Sequence, residues 1–444
     1  MAAPAAAPPP AKVTQANAPV ISLANFEERK HEIAQQLHKA ASEVGFFYIT
    51  DHGISQEEID RAFATGIKFL DREKEFKTTW PFNPDSYLGY RGPDELETVT
   101  GNRLWEWFSV GRYGTKGYNY HAQAFEGEEW PQELGEEFRQ VALSFQERTH
   151  DIALKILRAL WISLGRDESE LDDPFDITSP ENPSFMAWNK YPALTSEQIE
   201  GLKNGKGKLP PRLHAHADMD VLTILFNRVG DVGLEIAPGK DSENLDEIIE
   251  DVGNIWNHVP VAKEWLPLDP RPGCITVNVG DGLTRWTDGV FKSTYHRVRA
   301  PKQGDPTGER YSIPYFVNPR LNYIMQGPKK RWGPITGFDI LSKTGNAYAA
   351  RRNSPDKSWQ EAAYTDEIAE LNAETAEGRA DLLAKNGVTR KQRDSVVGNG
   401  NGSGVQASAL RVARPAVAQR APRAAGALRR SALVGAPLRM ARAF

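Results

Sequence analysis

From residue 183 onward the sequence switches repeatedly between short apolar runs and turn chemistry. The runs at 221–226, 233–236, 274–279, 291–298 and 311–317 are rich in β-branched and aromatic residues, with Gly, Pro, Asn and Asp between them. Several short strands joined by turns predict packed sheets, a sandwich or a jelly roll. The expected fold class is α+β with a mainly β core.

The sequence before residue 183 has a different rhythm. Pro19-Val-Ile-Ser-Leu23 is a short strand pattern, after an Ala/Pro-rich lead over 1–18 that is expected to be disordered. Ile33, Leu37, Ala40, Ala41 and Val44 recur at helical spacing, and Gly45 ends that pattern. Residues 46–50 read as a strand. Ser55 and Glu58 form a capping-box signature for the next helix. A long amphipathic helix fits 134–164. The expected plan is a helical and mixed region over 19–180, a β domain over 181–345 and an acidic helical segment over 346–387. A Gly/Asn/Ser-rich linker and an Ala/Arg tail then occupy 388–444. The tail is expected to be disordered, and its arginines would suit an anionic lipid or a partner.

Charge narrows the function. The net charge is −5, yet residues 401–444 hold eight Arg and no Asp or Glu, so the remainder carries −13. An acidic body argues against a nucleic-acid enzyme. No apolar run is long enough to span a bilayer, and no secretory leader is expected at the start. Cys274 is the one cysteine. No intramolecular disulfide or thiolate-cluster metal site is possible, and a reducing, cytoplasmic setting is expected. Any metal must be held by His and carboxylate.

One stretch offers such ligands. In Leu213-His-Ala-His-Ala-Asp-Met-Asp220, polar residues alternate with small or apolar ones. In extended chain, residues two apart point the same way, so His216 and Asp218 can aim at one point. His296, in Lys292-Ser-Thr-Tyr-His-Arg-Val298, is the best third ligand. Two imidazoles and a carboxylate on one face of an octahedral ion leave three positions open, which suits iron(II); zinc is the rival. His214 and Asp220 share the alternation and are expected beside the site or facing solvent rather than on the metal.

A second constellation lies at Arg310-Tyr-Ser312. A guanidinium fork with a neighbouring hydroxyl is what a buried carboxylate requires. Arg310 follows His296 by 14 residues, a distance one hairpin can supply. Asn189 and Tyr191, in Trp188-Asn-Lys-Tyr-Pro192, offer further polar groups to the same acid.

Taken together, these stretches resemble the isopenicillin N synthase-like family of iron(II)/2-oxoglutarate oxygenases over roughly 18–345. The similarity includes Gly45-Phe-Phe-Tyr-Ile-Thr-Asp-His-Gly-Ile54 and His216-Ala-Asp218 followed by Leu222-Thr-Ile-Leu225. It continues through Val277-Asn-Val-Gly-Asp-Gly-Leu-Thr-Arg-Trp-Thr-Asp-Gly289 and Arg310-Tyr-Ser-Ile-Pro-Tyr-Phe316. The resemblance implies a double-stranded β-helix, a cupin-like jelly roll, flanked by N-terminal and C-terminal helices. It implies iron on His216, Asp218 and His296. It implies 2-oxoglutarate held through its distal carboxylate by Arg310 and Ser312, with Tyr191 and Asn189 assisting, and makes Asn278 to Asp281 a structural turn. Dioxygen would be the second co-substrate and ascorbate a possible reductant. The expected reaction is hydroxylation, desaturation or ring closure of a small, secondary-metabolite type substrate by a monomer, with release of succinate and carbon dioxide.

The chain departs from the family pattern in places. The first two ligands lie far from the third, with an acidic insertion around 239–260. Asp220 stands where Gly is more usual, and the 303–309 loop is extended. Three rival readings remain: an oxidase on this scaffold that takes no 2-oxoglutarate, a non-catalytic metal- or ligand-sensing protein, and a zinc hydrolase. Two readings also stay open for the aromatics of Trp105-Glu-Trp-Phe108. They pack the core, which is the usual fate of large aromatics, or they line a substrate pocket. Trp107, Phe108 and Phe316 are the pocket candidates.

Overall fold

The computed structural model describes residues 18–83, 86–93, 105–119, 124–204, 209, 211–241 and 265–340. The expected Ala/Pro lead, the helical segment over 346–387 and the Arg-rich tail lie outside the described residues.

Two sheets build the core. The larger has eight strands in the order β1 (Val20–Ser22), β2 (Phe46–Thr50), β12 (Ile275–Val279), β9 (Leu222–Asn227), β14 (Arg310–Val317), β7 (Phe185–Tyr191), β4 (Glu106–Gly111) and β3 (Gly89–Arg91). The smaller has four, in the order β11 (Leu266–Pro267), β10 (Leu234–Asp241), β13 (Thr294–Val298) and β8 (Leu213–His216). Pairing is antiparallel throughout both sheets except between β1 and β2. Two-stranded ribbons, β5 (Gly117–Asn119) with β6 (Ala124–Gly127) and β15 (Ile324–Met325) with β16 (Ile335–Thr336), sit outside the sheets.

Helices cover one face of the large sheet. They are α1 (Phe26–Glu43), α2 (Gln56–Leu70), the short α3 (Lys74–Thr78) and α4 (Glu136–Ser163); α5 (Ser196–Lys203) and α6 (Asp281–Trp286) follow later in the chain. Helix α4 buries Phe138, Ala142, Phe145, Thr149, Ile152, Ala153 and Ile156, a stripe with helical spacing. A 3-10 turn, Gln132–Leu134, precedes it, so the helix begins two residues later than its periodicity suggests. Helix α2 has the expected box: Ser55 accepts from the Glu58 backbone, and Glu58 accepts from the Ser55 backbone. Helix α1 ends at Glu43, and at Gly45, two residues on, a Cβ would lie 2.2 Å from the Lys292 carbonyl oxygen and φ is +75°. Only glycine fits that crossing of α1 and the chain entering β13.

Strand alternation divides the apolar residues between the two faces. Phe47 and Ile49 of β2, Phe108 of β4 and Trp188 of β7 pack toward the helices in the main core. Trp107, Phe185, Ala187 and Tyr191 form a second cluster on the opposite face. Phe46, Tyr48, Leu234 and Ile236 form a third.

The strands expected at 19–23 and 46–50 are β1 and β2, at one edge of the large sheet; β4 and β3, where no strand was expected from sequence, form the other. One expectation needs correction: the 14 residues from His296 to Arg310 do not make a hairpin. Strand β13 belongs to the small sheet and β14 to the large one, so the connection crosses between the layers.

Candidate active site

Three potential ligands converge where the sheets face each other. His216 ends β8 and pairs directly with His296 of β13, so both imidazoles emerge on one face. Asp218 lies two residues past the strand end. Its Oδ1 is 3.6 Å from His216 Nε2 and 3.8 Å from His296 Nε2. One ligand atom from each residue falls within 4.8 Å of the other two, a spacing a single ion can bridge. The structure brings His216 and Asp218 together by a route other than strand alternation: β8 stops at His216, and the loop carries Asp218 toward it.

The surroundings fix these donors. His296 Nδ1 lies 3.3 Å from the Thr294 carbonyl oxygen. Donation there leaves Nε2 with a lone pair toward the cluster. The Asp218 Oδ2 accepts from Thr223 Oγ1 at 2.6 Å and from Asn278 Nδ2 at 2.8 Å. Thr223 and Asn278 are register partners across β9 and β12, so two adjacent strands clamp one oxygen and leave the other facing the imidazoles. Burial works to raise the Asp218 carboxyl, but His296, His216 and these hydrogen bonds outweigh it and hold it below the usual carboxylate range. Asn278 thus belongs to the site, not merely to a turn as expected from sequence.

Asp220 is not a member of the three-residue cluster. It is buried, and its Oδ2 lies 3.0 Å from Thr223 Oγ1. Burial, then the Asp218 charge, push its carboxyl well up. Thr223 has one hydroxyl proton. Its oxygen sits between the two carboxyl groups, 2.6 Å from Asp218 Oδ2 and 3.0 Å from Asp220 Oδ2. A Cβ at Gly280 would lie 2.1 Å from the Asp220 carbonyl oxygen, so this loop and the start of α6 can meet only at a glycine.

A second group of polar residues lines the same cavity. Arg310 is buried and starts β14, opposite Tyr191 of β7; Ser312 is opposite Asn189. Arg310 Nη2 donates to Asn227 Oδ1 at 3.1 Å, while its Nε and Nη1 are buried with no hydrogen-bond partner among the described residues. Its guanidinium carbon is 4.9 Å from the Tyr191 ring centroid. Burial raises the Tyr191 hydroxyl, so it remains a proton donor at neutral pH. Asn189 accepts from Trp105 Nε1 at 2.8 Å and donates to Ser312 Oγ at 3.2 Å. A buried guanidinium with two unused N–H edges demands an anion. The donor set therefore fits a metal at one end of the cavity and a carboxylate at the other.

Comparison with known proteins agrees. Residues 18–133 match a family model described as "non-haem dioxygenase in morphine synthesis N-terminal". Residues 189–319 match the 2OG-Fe(II) oxygenase superfamily. Among similar curated proteins, the 2-oxoglutarate-dependent dioxygenase traH of Penicillium crustosum is 28% identical over 319 residues, covering 67% of this chain and 83% of that one. The 2-oxoglutarate-Fe(II) type oxidoreductase ppzD of Metarhizium rileyi is 28% identical over 326 residues, covering 69% and 83%. The chain belongs to the iron(II)- and 2-oxoglutarate-dependent dioxygenases. Its fold is theirs as well: a full-length Neurospora crassa protein, solved in complex with alpha-KG and 5-formyluracil, superposes with a TM-score of 0.58 at 23% identity, covering 73% of this chain and 94% of that one.

As a dioxygenase of this family it uses iron(II), 2-oxoglutarate and dioxygen. Trp105, Trp107 and Phe316 line the cavity that holds the ligand cluster and Arg310. Phe108 does not. Neighbouring residues on a strand face opposite ways, and Phe108 stacks on Phe69 among the helices with centroids 3.5 Å apart. The side chain of His214 lies outside the described residues. Thr223 and Asn227 were not expected at the site; strand pairing alone brings them there. Among the described residues, no helix is long and apolar enough to cross a membrane.

Proposed function

We propose that His216, Asp218 and His296 hold the iron of this dioxygenase, and that Arg310, Ser312 and Tyr191 receive the distal carboxylate of 2-oxoglutarate. One observation carries the assignment: a three-ligand cluster and a buried guanidinium with two unpartnered nitrogens line one cavity. Asn189 acts one step back. Its amide occupies an acceptor position on Ser312, which leaves the hydroxyl proton for the carboxylate.

Iron(II) with 2-oxoglutarate and dioxygen supplies the oxidant that removes hydrogen from an unactivated C–H bond, with succinate and carbon dioxide as co-products. The chain's own work is positioning. Thr223 and Asn278 keep Asp218 aimed. Arg310 fixes the co-substrate at the far end from the ligands. Trp107, Phe185 and Phe316 give the rest of the cavity an apolar wall that excludes water. This wall favours a small, largely apolar organic substrate.

The experiment is a metabolite screen for substrate-dependent succinate release, run with and without 2-oxoglutarate. Product formation that requires 2-oxoglutarate and matches succinate one to one is expected. Equal product without it would mean an oxidase on the same scaffold.

A further inference from the structure

Strand β14 turns alternate residues toward the cavity: Arg310 and Ser312 at its start, then Pro314 and Phe316, and Asn318 just past its end. In the reading above, on which this inference rests, the Arg310 end takes 2-oxoglutarate. The Asn318 end is then left to the substrate. Asn318 is 1% exposed. Its backbone is fixed by Ser184, whose Oγ accepts from the Asn318 N–H at 3.0 Å and donates to the Asn318 carbonyl oxygen at 3.1 Å. Its side chain is not fixed in this way: Oδ1 is buried with no hydrogen-bond partner among the described residues.

Trp107 carries a second orphan atom. It is 5% exposed and lines the same cavity, and its Nε1 is also buried with no hydrogen-bond partner among the described residues. The two atoms are opposite in sense, because an indole N–H only donates and an amide oxygen only accepts. Phe316 connects them. Its ring stacks on Trp107, with centroids 5.8 Å apart and planes at 26°, and it precedes Asn318 by two residues on the cavity side. A buried polar atom without a partner is costly and rare in a packed interior. A donor and an acceptor left open on one aromatic wall fit a ligand that completes both.

We propose that Asn318 and Trp107 determine substrate specificity through two hydrogen bonds. Asn318 Oδ1 accepts from a hydroxyl or N–H group of the substrate, and Trp107 Nε1 donates to a carbonyl oxygen. The substrate class is a flat, uncharged compound with a donor at one end and a carbonyl at the other, its apolar body lying along Phe316. A compound that lacks either group leaves one buried protein atom unpaired, which is how such a site rejects it.

The test uses the holoprotein with iron(II) and 2-oxoglutarate, without oxygen, and calorimetry. The probes are the hydroxyketones 6-hydroxy-1-tetralone and 2-hydroxy-9-fluorenone. Each is measured beside the ketone without the hydroxyl (1-tetralone, 9-fluorenone) and the phenol without the carbonyl (6-hydroxytetralin, 2-hydroxyfluorene). At least one hydroxyketone binds the native protein roughly 3- to 10-fold tighter than either matched compound. In Asn318→Leu the preference for the hydroxyl disappears and that for the carbonyl remains, while 2-oxoglutarate affinity stays native. Asn318→Asp, which keeps an acceptor, retains the hydroxyl preference. In Trp107→Phe the carbonyl preference disappears and the hydroxyl preference remains. If neither hydroxyketone outbinds both of its matched compounds on the native protein, or if either preference survives its variant, the proposal is overturned although the dioxygenase reading stands. If the native protein fails to bind 2-oxoglutarate, both fall. Should Asn318→Leu not fold, Asn318→Ala, which adds no bulk, is read in its place.

Discussion

His216 and His296 face each other directly across the β8–β13 ladder, with ring centroids 4.3 Å apart. Eighty positions separate them in the chain, and part of that stretch is the acidic insertion. Register, rather than sequence spacing, makes them a pair. An insertion that leaves this ladder intact leaves the pairing of the two histidines intact.

The clamp on Asp218 is the first point to test. Asn278→Leu and Thr223→Val each remove one of the hydrogen bonds to Oδ2. Groups that orient a metal ligand contribute about 10- to 100-fold to metal affinity. Iron(II) affinity, measured by competition with a chelator, should fall by that factor in each variant. The double variant should fall by less than the product, because the two bonds act on one oxygen.

Arg310→Gln should weaken 2-oxoglutarate binding by about 2–5 kcal/mol, the usual cost of truncating one partner of a buried charged pair. That corresponds to roughly 30- to several-thousand-fold in Kd. Iron affinity should not change. Arg310→Lys should restore little, since an ammonium cannot reproduce the planar fork. Titration with 2-oxoglutarate in the absence of oxygen reads the effect.

On the proposed assignment, Trp105 positions the co-substrate. Its indole N–H holds the Asn189 amide, which in turn holds Ser312. Trp105→Phe removes that donor and should cost about 0.5–1.5 kcal/mol. The KM for 2-oxoglutarate should rise roughly 2- to 10-fold with kcat nearly unchanged. Trp105→His, which can present a ring N–H, should recover part of the loss; a merely structural role would show in the melting temperature and not in KM.

Much of the site was legible because it consists of short motifs with chemical meaning. Arg310 and Ser312 share a strand face, and His216 and Asp218 share a short segment. What was not legible depends on pairing between distant strands. Asn278 reaches Asp218 because β12 lies beside β9, and Asn227 reaches Arg310 because β9 lies beside β14. No local pattern encodes either neighbour. Phe108 and Trp107 show the same limit on a smaller scale: both are large aromatics, and only the sheet's orientation decides which one sees the cavity.

His150 should set an acid limit on stability. It is buried in α4, with Nδ1 2.9 Å from the Tyr315 hydroxyl and Nε2 2.7 Å from the Phe175 carbonyl oxygen. Burial chiefly lowers its pKa from the ordinary 6.5, so the folded protein keeps it neutral. Below that pH the unfolded chain takes up a proton that the native state refuses, so stability falls as pH drops toward the depressed native value. The slope contribution approaches about 1.4 kcal/mol per pH unit. Melting curves between pH 7.5 and 5 should show a steeper acid loss for the native protein than for His150→Gln. Parallel curves would remove His150 from the account.

The most direct measurement is the amount of iron(II) and 2-oxoglutarate bound per chain in equilibrium dialysis without oxygen, for the native protein and for Asp218→Ala and His296→Ala. The native protein should hold one of each, and both variants should lose the iron while remaining folded by circular dichroism. A folded Asp218→Ala or His296→Ala that still binds one iron with native affinity would contradict the assignment of the metal site.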